Sequence, residues 1–114
     1  MRTFMIAAGM AMAALPAGAQ TFVPADAKAH VGQAVTVEAV VSDVHAGRSG
    51  VTFIDMGGRY PDNDFTAVIF AGDAAKFPNV SALEGKTLAV SGTVELYRGR
   101  PEIVVKSADQ IKAK

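Results

Sequence analysis

The stretch Thr87-Leu88-Ala89-Val90-Ser91-Gly92-Thr93-Val94-Glu95-Leu96 alternates without a break. Leu88, Val90, Gly92, Val94 and Leu96 fall on one side, and Thr87, Ala89, Ser91, Thr93 and Glu95 on the other. A period of two sends successive side chains to opposite faces of an extended backbone, so this stretch reads as a β-strand with one buried face. Gly92 interrupts the apolar side at its centre, where a residue without a Cβ marks a sharp bend.

Outward from this strand the pattern repeats. Downstream, Arg98-Gly99-Arg100-Pro101 is a tight connection, and Glu102 to Lys106 forms a last strand with Ile103 and Val105 inward. Upstream, Gly85-Lys86 is a turn, and residues 73–84 suit one short helical segment interrupted at Pro78. Phe65 to Ala71 is an apolar strand whose Val68-Ile69-Phe70 run predicts burial on both faces. It follows a loop of turn formers, Gly57 to Asp64, which closes a short strand containing Val51, Phe53 and Ile54 and ending at Asp55-Met56.

Ala46 to Gly50 is the preceding turn, and before it lies the longest strand. There Val35, Val37, Ala39 and Val41 share a face, while Val44 has the opposite parity, so a bulge is predicted at Val40-Val41. Pro24 to His30 reads as a short helical turn that stops at Gly32. The order is β-β-β-α-β-β. This is an all-β domain with one short helix, a five-stranded OB-fold Greek-key barrel whose ligand face lies on strands two and three. Val35, Val37, Phe53, Ile69, Leu88, Val90, Val94, Ile103 and Val105 are its predicted core.

The N-terminus has a different character. Arg2 precedes an apolar run from Phe4 to Leu15, then Pro16, then Ala17-Gly18-Ala19. That charged, apolar and small-residue order is a secretory signal, with cleavage expected after Ala19. The run is shorter than the ~20 residues a membrane-spanning helix needs. The domains are therefore a signal peptide, 1–19, and an OB-fold domain, 20–114, periplasmic or secreted and with no membrane span after cleavage. The chain has no cysteine, which excludes a lipid-anchoring cysteine, disulfides, thiolate metal sites and cysteine nucleophiles.

The mature chain carries ten Lys and Arg against eleven Asp and Glu, without the cationic excess of a dedicated polyanion binder. His30 and His45 stand outside any spaced metal or nucleophile motif, so no enzyme and no cofactor are expected. Asp43, Asp55, Asp62 and Asp64 could meet His45 near the barrel mouth and there bind a divalent cation through oxygen ligands. They lack the order of a calcium-binding loop and read as turn residues, so no metal is predicted.

The candidate ligand-binding residues are Arg48, Arg98, Arg100, Arg59, Tyr60 and Tyr97. All four arginines of the mature chain fall in inter-strand loops, and a guanidinium is a planar fork suited to phosphate and carboxylate. Closure of a barrel would bring Arg48, Arg98 and Arg100 to one face, with Tyr60 and Tyr97 as exposed rings for stacking.

Several runs look familiar together. They are Gly32-Gln33-x-Val35-Thr36-Val37; Val51-Thr52-Phe53-Ile54-Asp55; Gly57-Gly58-x-Tyr60-Pro61 before Phe65-Thr66-Ala67-Val68-Ile69-Phe70; and Gly92-x-Val94-x-Leu96-Tyr97-x-Gly99-x-Pro101-Glu102-Ile103. They resemble the OB-fold nucleic-acid-binding-like domains, akin to anticodon-binding domains, that occur in many bacteria and include exported members. The resemblance covers nearly the whole mature chain and implies the fold more directly than a function. By analogy it implies an exported binding module for single-stranded nucleic acid or another anionic oligomer, such as an acidic glycan. The alternative is an envelope structural or protein-interaction domain with a protein partner and no nucleic-acid ligand.

Overall fold

The structure is a computed structural model, and it describes residues 20–114. The predicted signal peptide and its cleavage site lie outside the described residues. Seven strands form: β1 (Thr21–Phe22), β2 (Ala34–Ala46), β3 (Thr52–Met56), β4 (Phe65–Ile69), β5 (Thr87–Tyr97), β6 (Arg100–Val104) and β7 (Ile111–Ala113).

Five of these close on themselves in the order β2-β3-β4-β6-β5 and back to β2, and β1 and β7 pair outside the ring. Closure requires β2 and β5 each to change partner along their length. The first half of β2 pairs with β5, from Ala34↔Thr93 to Val40↔Thr87, and its second half pairs with β3. A register shift between Val41 and Asp43 separates the halves, because the extra residue of a bulge coils the strand and turns its far end toward a new neighbour. The bulge thus lies just past the Val40-Val41 pair that predicted it. Val41 keeps the inward parity and is buried, whereas Val40 is 54% exposed.

β5 makes the complementary change, pairing with β2 up to Thr93 and with β6 from Val94 onward. Gly92 sits at that junction, where a Cβ would stand 2.6 Å from the Cγ2 of Ile103. The bend read from the sequence is therefore also a close approach. Gly92→Ala is expected to cost about 1–3 kcal/mol through this overlap, read as a lower urea midpoint at unchanged slope.

The predicted single helix between β4 and β5 is two 3-10 turns, Ala71–Lys76 and Val80–Leu83. Pro78 disfavours the helical backbone region for the residue before it, and Phe77 adopts φ −130°, ψ 60°. Pro24–His30 is likewise a 3-10 segment, with buried Pro24 and Ala27 packed at one end of the barrel.

The barrel interior is filled by Val35, Val37, Val41, Ile54, Met56, Phe65, Ala67, Ile69, Leu88, Val90, Val94, Ile103 and Val105. Eight of the nine predicted core residues are buried here, and Phe53 is only half-buried. Ile54 and Met56 occupy the inward parity of β3, so Phe53 must point outward. Phe70 and Leu96 also depart from expectation, at 46% and 52% exposed. Phe70 lies one residue past the end of β4, and Leu96 pairs with Pro101 beside the hairpin tip, so both have run beyond the enclosed core.

The outer sheet face as a candidate ligand site

Inward packing on alternate residues sends their neighbours to the outer surface of β3, β4, β6 and β5. The register aligns those neighbours in rows. One row is His45, Phe53, Val68 and Val104. The next is Asp43, Asp55, Thr66, Glu102 and Glu95, four carboxylates across five strands with one hydroxyl among them.

Asp55 is 1% exposed, and a buried carboxylate is costly unless its oxygens are satisfied. Its Oδ1 accepts from Thr66 Oγ1 (3.3 Å) and Asn63 Nδ2 (3.4 Å), and its Oδ2 lies 3.1 Å from His45 Nε2. Asn63, 7% exposed, also donates to Thr66 Oγ1 and to the Phe65 carbonyl. Arg100 Nη2 closes the chain, donating to Asn63 Oδ1 (2.6 Å) and to the Asn63 carbonyl. One polar network therefore crosses the face from β2 to β6. Asp43, His45 and Asp55 lie at its β2 end, with one donor atom from each within 4.8 Å of the others.

At the other side of the row, Glu102 and Glu95 are direct cross-strand partners. Burial, and then the Glu95 charge, push the Glu102 carboxyl above its ordinary value of about 4.5. An acid with a raised folded pKa destabilises the fold while it is ionised, and the penalty fades as pH falls through the raised value toward 4.5. Glu102→Gln is therefore expected to raise the melting temperature at neutral pH. The gain should disappear below the ordinary glutamate range, which a pair of melting series against pH will show. An open groove of about 620 Å³ overlies this side, lined by Phe70, Glu95, Tyr97, Glu102, Val104 and Lys106 among others.

The arginines divide between the two ends of this face. Arg98 and Gly99, both with positive φ, form a two-residue turn of the type whose twist suits a hairpin. The turn holds the Arg98 guanidinium 5.3 Å from the Tyr97 ring centre. Arg100 lies 5.4 Å from the Tyr60 ring, and Arg59, well exposed, reaches to within 3.9 Å of Asp43. Tyr60 and Tyr97 are 67% and 58% exposed, so both rings are available.

Arg48 is not part of this group. Its loop follows Ala46, which is level with Thr52 and Ile69, whereas Arg100 precedes Glu102, which is level with Thr66 near the start of β4. The expected convergence of Arg48 with Arg98 and Arg100 does not form. β6 runs parallel to β4, which puts the β5–β6 hairpin beside the loop before β4, opposite the β2–β3 turn. The length of β4 alone separates the two by about 13 Å at ~3.3 Å per residue. The loop of Arg59 and Tyr60 takes the place expected of Arg48.

Sequence reasoning missed Asn63, Thr66 and the Glu95–Glu102 pair altogether. An aspartate at the end of the apolar Val51-Thr52-Phe53-Ile54 run, with Asp43 and His45 two apart on another strand, was the available signal.

The fold defines an all-β barrel module of the OB type. Comparison with solved structures agrees: an OB-scaffold protein bound to hen egg-white lysozyme superposes with a TM-score of 0.63 at 18% identity, over 90% of this chain and 98% of that one. A Leishmania major protein described as an aspartyl-tRNA synthetase gives 0.57 at 15% identity, over 94% of this chain, which spans only 23% of that one. A Klebsiella pneumoniae protein described as a nucleic acid-binding lipoprotein gives 0.46 at 19% identity, over 80% of this chain and 78% of that one. No family model matches the sequence, and neither does any curated protein. Among the described residues no helix is long and apolar enough to cross a membrane.

Proposed function

We propose that this chain is an exported envelope module that docks a partner protein on the outer face of β3, β4, β6 and β5. The observation that carries the reading is the division of charge on that face. Three carboxylates that reach the surface of one row, Asp43, Glu102 and Glu95, with Asp55 buried among them, adjoin an end bearing Arg59, Arg98 and Arg100 with two exposed tyrosines. Adjacent opposite charges with aromatic rings suit a folded partner of complementary pattern, in which charge sets register and the rings supply buried area. A polyanion laid along the same face would place its charges over the carboxylates.

Export is part of the proposal and rests on the order of residues 2–19. The exported species should begin at Gln20, and an intact mass retaining Met1 would count against it. For docking, a photoreactive residue at position 97 should give one discrete protein adduct in the envelope of producing cells. Reversing charge with Glu95→Lys and Glu102→Lys should abolish that adduct. No adduct, or one indifferent to the reversal, overturns the reading.

One observation favours a second reading. Arg59, Tyr60, Tyr97, Arg98 and Arg100 gather at one end of the face, and such cation–ring clusters take phosphates or carboxylates of an anionic oligomer, a single-stranded nucleic acid or an acidic glycan. Arg59 and Arg98 are exposed, so Arg59→Ala with Arg98→Ala should leave stability nearly unchanged. At ~0.7 per phosphate contact, the pair should flatten the slope of log affinity against log salt for single-stranded DNA by about 1.4. An unchanged slope and affinity would remove this reading.

A further inference from the structure

We propose that Asp43, His45 and Asp55 bind a divalent first-row transition ion at the β2–β3 side of the outer face. The three come from two adjacent strands. Asp43 and His45 are two apart on β2 and share its outward parity, and Asp55 is the cross-strand partner of Asp43. One donor atom of each already lies within 4.8 Å of the other two, and His45 Nε2 and Asp55 Oδ2 are 3.1 Å apart. Ligand atoms about 2.0–2.2 Å from a common ion stand roughly 3.0–3.5 Å from one another. The remaining contraction falls to Asp43, whose side chain is 26% exposed and has room to turn.

A second observation, independent of this spacing, points to a cation. The Asp55 side chain is 2% exposed, and among the described residues no lysine or arginine lies in salt-bridge range of it. Thr66 and Asn63 hold Oδ1 in place, and Oδ2 faces His45. This is the arrangement of a ligating carboxylate oriented by an outer layer of hydrogen bonds, in which Oδ1 is fixed from outside the cluster and Oδ2 is paired only with His45, a contact that a shared ion would replace. The His45 ring is also held, packed against Phe53 with ring centres 5.3 Å apart.

The donor set selects the ion. Two carboxylates balance a divalent charge, and an imidazole favours zinc, manganese, iron or cobalt over calcium and magnesium, which prefer all-oxygen sites. Solvent reaches the site past Asp43 and His45, leaving positions for water or for a ligand group. Arg59, 3.9 Å from Asp43, is exposed and can swing away. The site shares Asp43 and Asp55 with the carboxylate row of the docking reading, but metal binding is measured apart from any partner, so either can fail without the other.

The test uses the purified exported protein, stripped with a chelator and titrated with Co²⁺ while its visible absorption is followed. One ion per chain is expected, displaced by Zn²⁺. Asp43→Asn and His45→Gln should each weaken Co²⁺ binding about tenfold or more, and Thr66→Val, which loosens Asp55 without removing a ligand, about tenfold. Asp43→Asn alters a partly exposed side chain outside the Asp55 hydrogen bonds, so its apo protein should melt like the parent, whereas His45→Gln removes a partner of buried Asp55 and is read together with its own melting curve; His30→Gln should bind as the parent does. Absence of saturable binding overturns the proposal. So does binding that survives both Asp43→Asn and His45→Gln, since that ion is adventitious.

Discussion

Val90→Asp is expected to leave the protein unfolded at 25 °C, with no cooperative melting transition. Val90 is fully buried at the centre of β5, paired with Val37 of β2 on one edge and Ile111 of β7 on the other. Neither neighbouring strand can move aside to let water reach a carboxylate there. An unpaired buried charge costs several kcal/mol or forces uptake of a proton, and a domain of this size is ordinarily stable by only ~5–10 kcal/mol. With no cysteine, no disulfide offsets the loss. Val40→Asp is the matched control. It places the same group on the half-exposed outward parity of β2 and should melt close to the parent. Circular dichroism against temperature distinguishes the two, and a cooperative Val90→Asp transition at the parental temperature would refute the inward parity of β5.

The second large effect is expected at Asn63. Asn63→Ala removes the one side chain that joins Asp55, Thr66, the Phe65 carbonyl and Arg100. Asp55 stays buried with one donor fewer at Oδ1, and Arg100 loses its shortest hydrogen bond. Stranding buried partners of a charged network costs more than the bonds are worth individually, here about 2–4 kcal/mol. For a domain of this length that is a fall of roughly 10–25 °C in melting temperature. Asp62→Ala, at the exposed neighbouring position, should change little. If the two variants melt alike, the network contributes nothing to stability. A double-mutant cycle with Arg100→Ala will show whether Asn63 and Arg100 act as one unit, since coupled residues give less than the sum of their separate losses.

The candidate site was legible only in pieces. Tyr60, Arg98 and Arg100 read as loop residues because turn formers flank them, and Tyr97 as the outward end of its strand; the structure puts Arg100 at the first position of β6 and leaves the two tyrosines exposed. Arg48 carried the same local signature, yet it lies at the other end of the face. Local sequence says that a residue is in a turn but not which end of the barrel the turn occupies; that depends on β6 running parallel to β4. Asp55 was read as a turn aspartate beside a short strand. It is instead the most buried charged group of the face, because Asn63, from a loop eight residues away, folds back over it.

By itself the sequence determined where the five barrel strands run, since an alternation of apolar and polar residues is a property of neighbours along the chain; the short outer strands β1 and β7 carry too few residues to show one and were not legible. It determined most of the inward residues in the same way, together with the Arg98-Gly99 turn and the bend at Gly92. Tertiary structure alone decided the rows across the face, the burial of Asp55, the outward turn of Phe53 and the company each arginine keeps. Those are fixed by register between strands far apart in the chain, as where Thr36 and Ser91, 55 positions apart, share a hydrogen bond between their hydroxyls. Register is set by the bulge past Val41 and by closure of the whole barrel, so no segment read alone contains it.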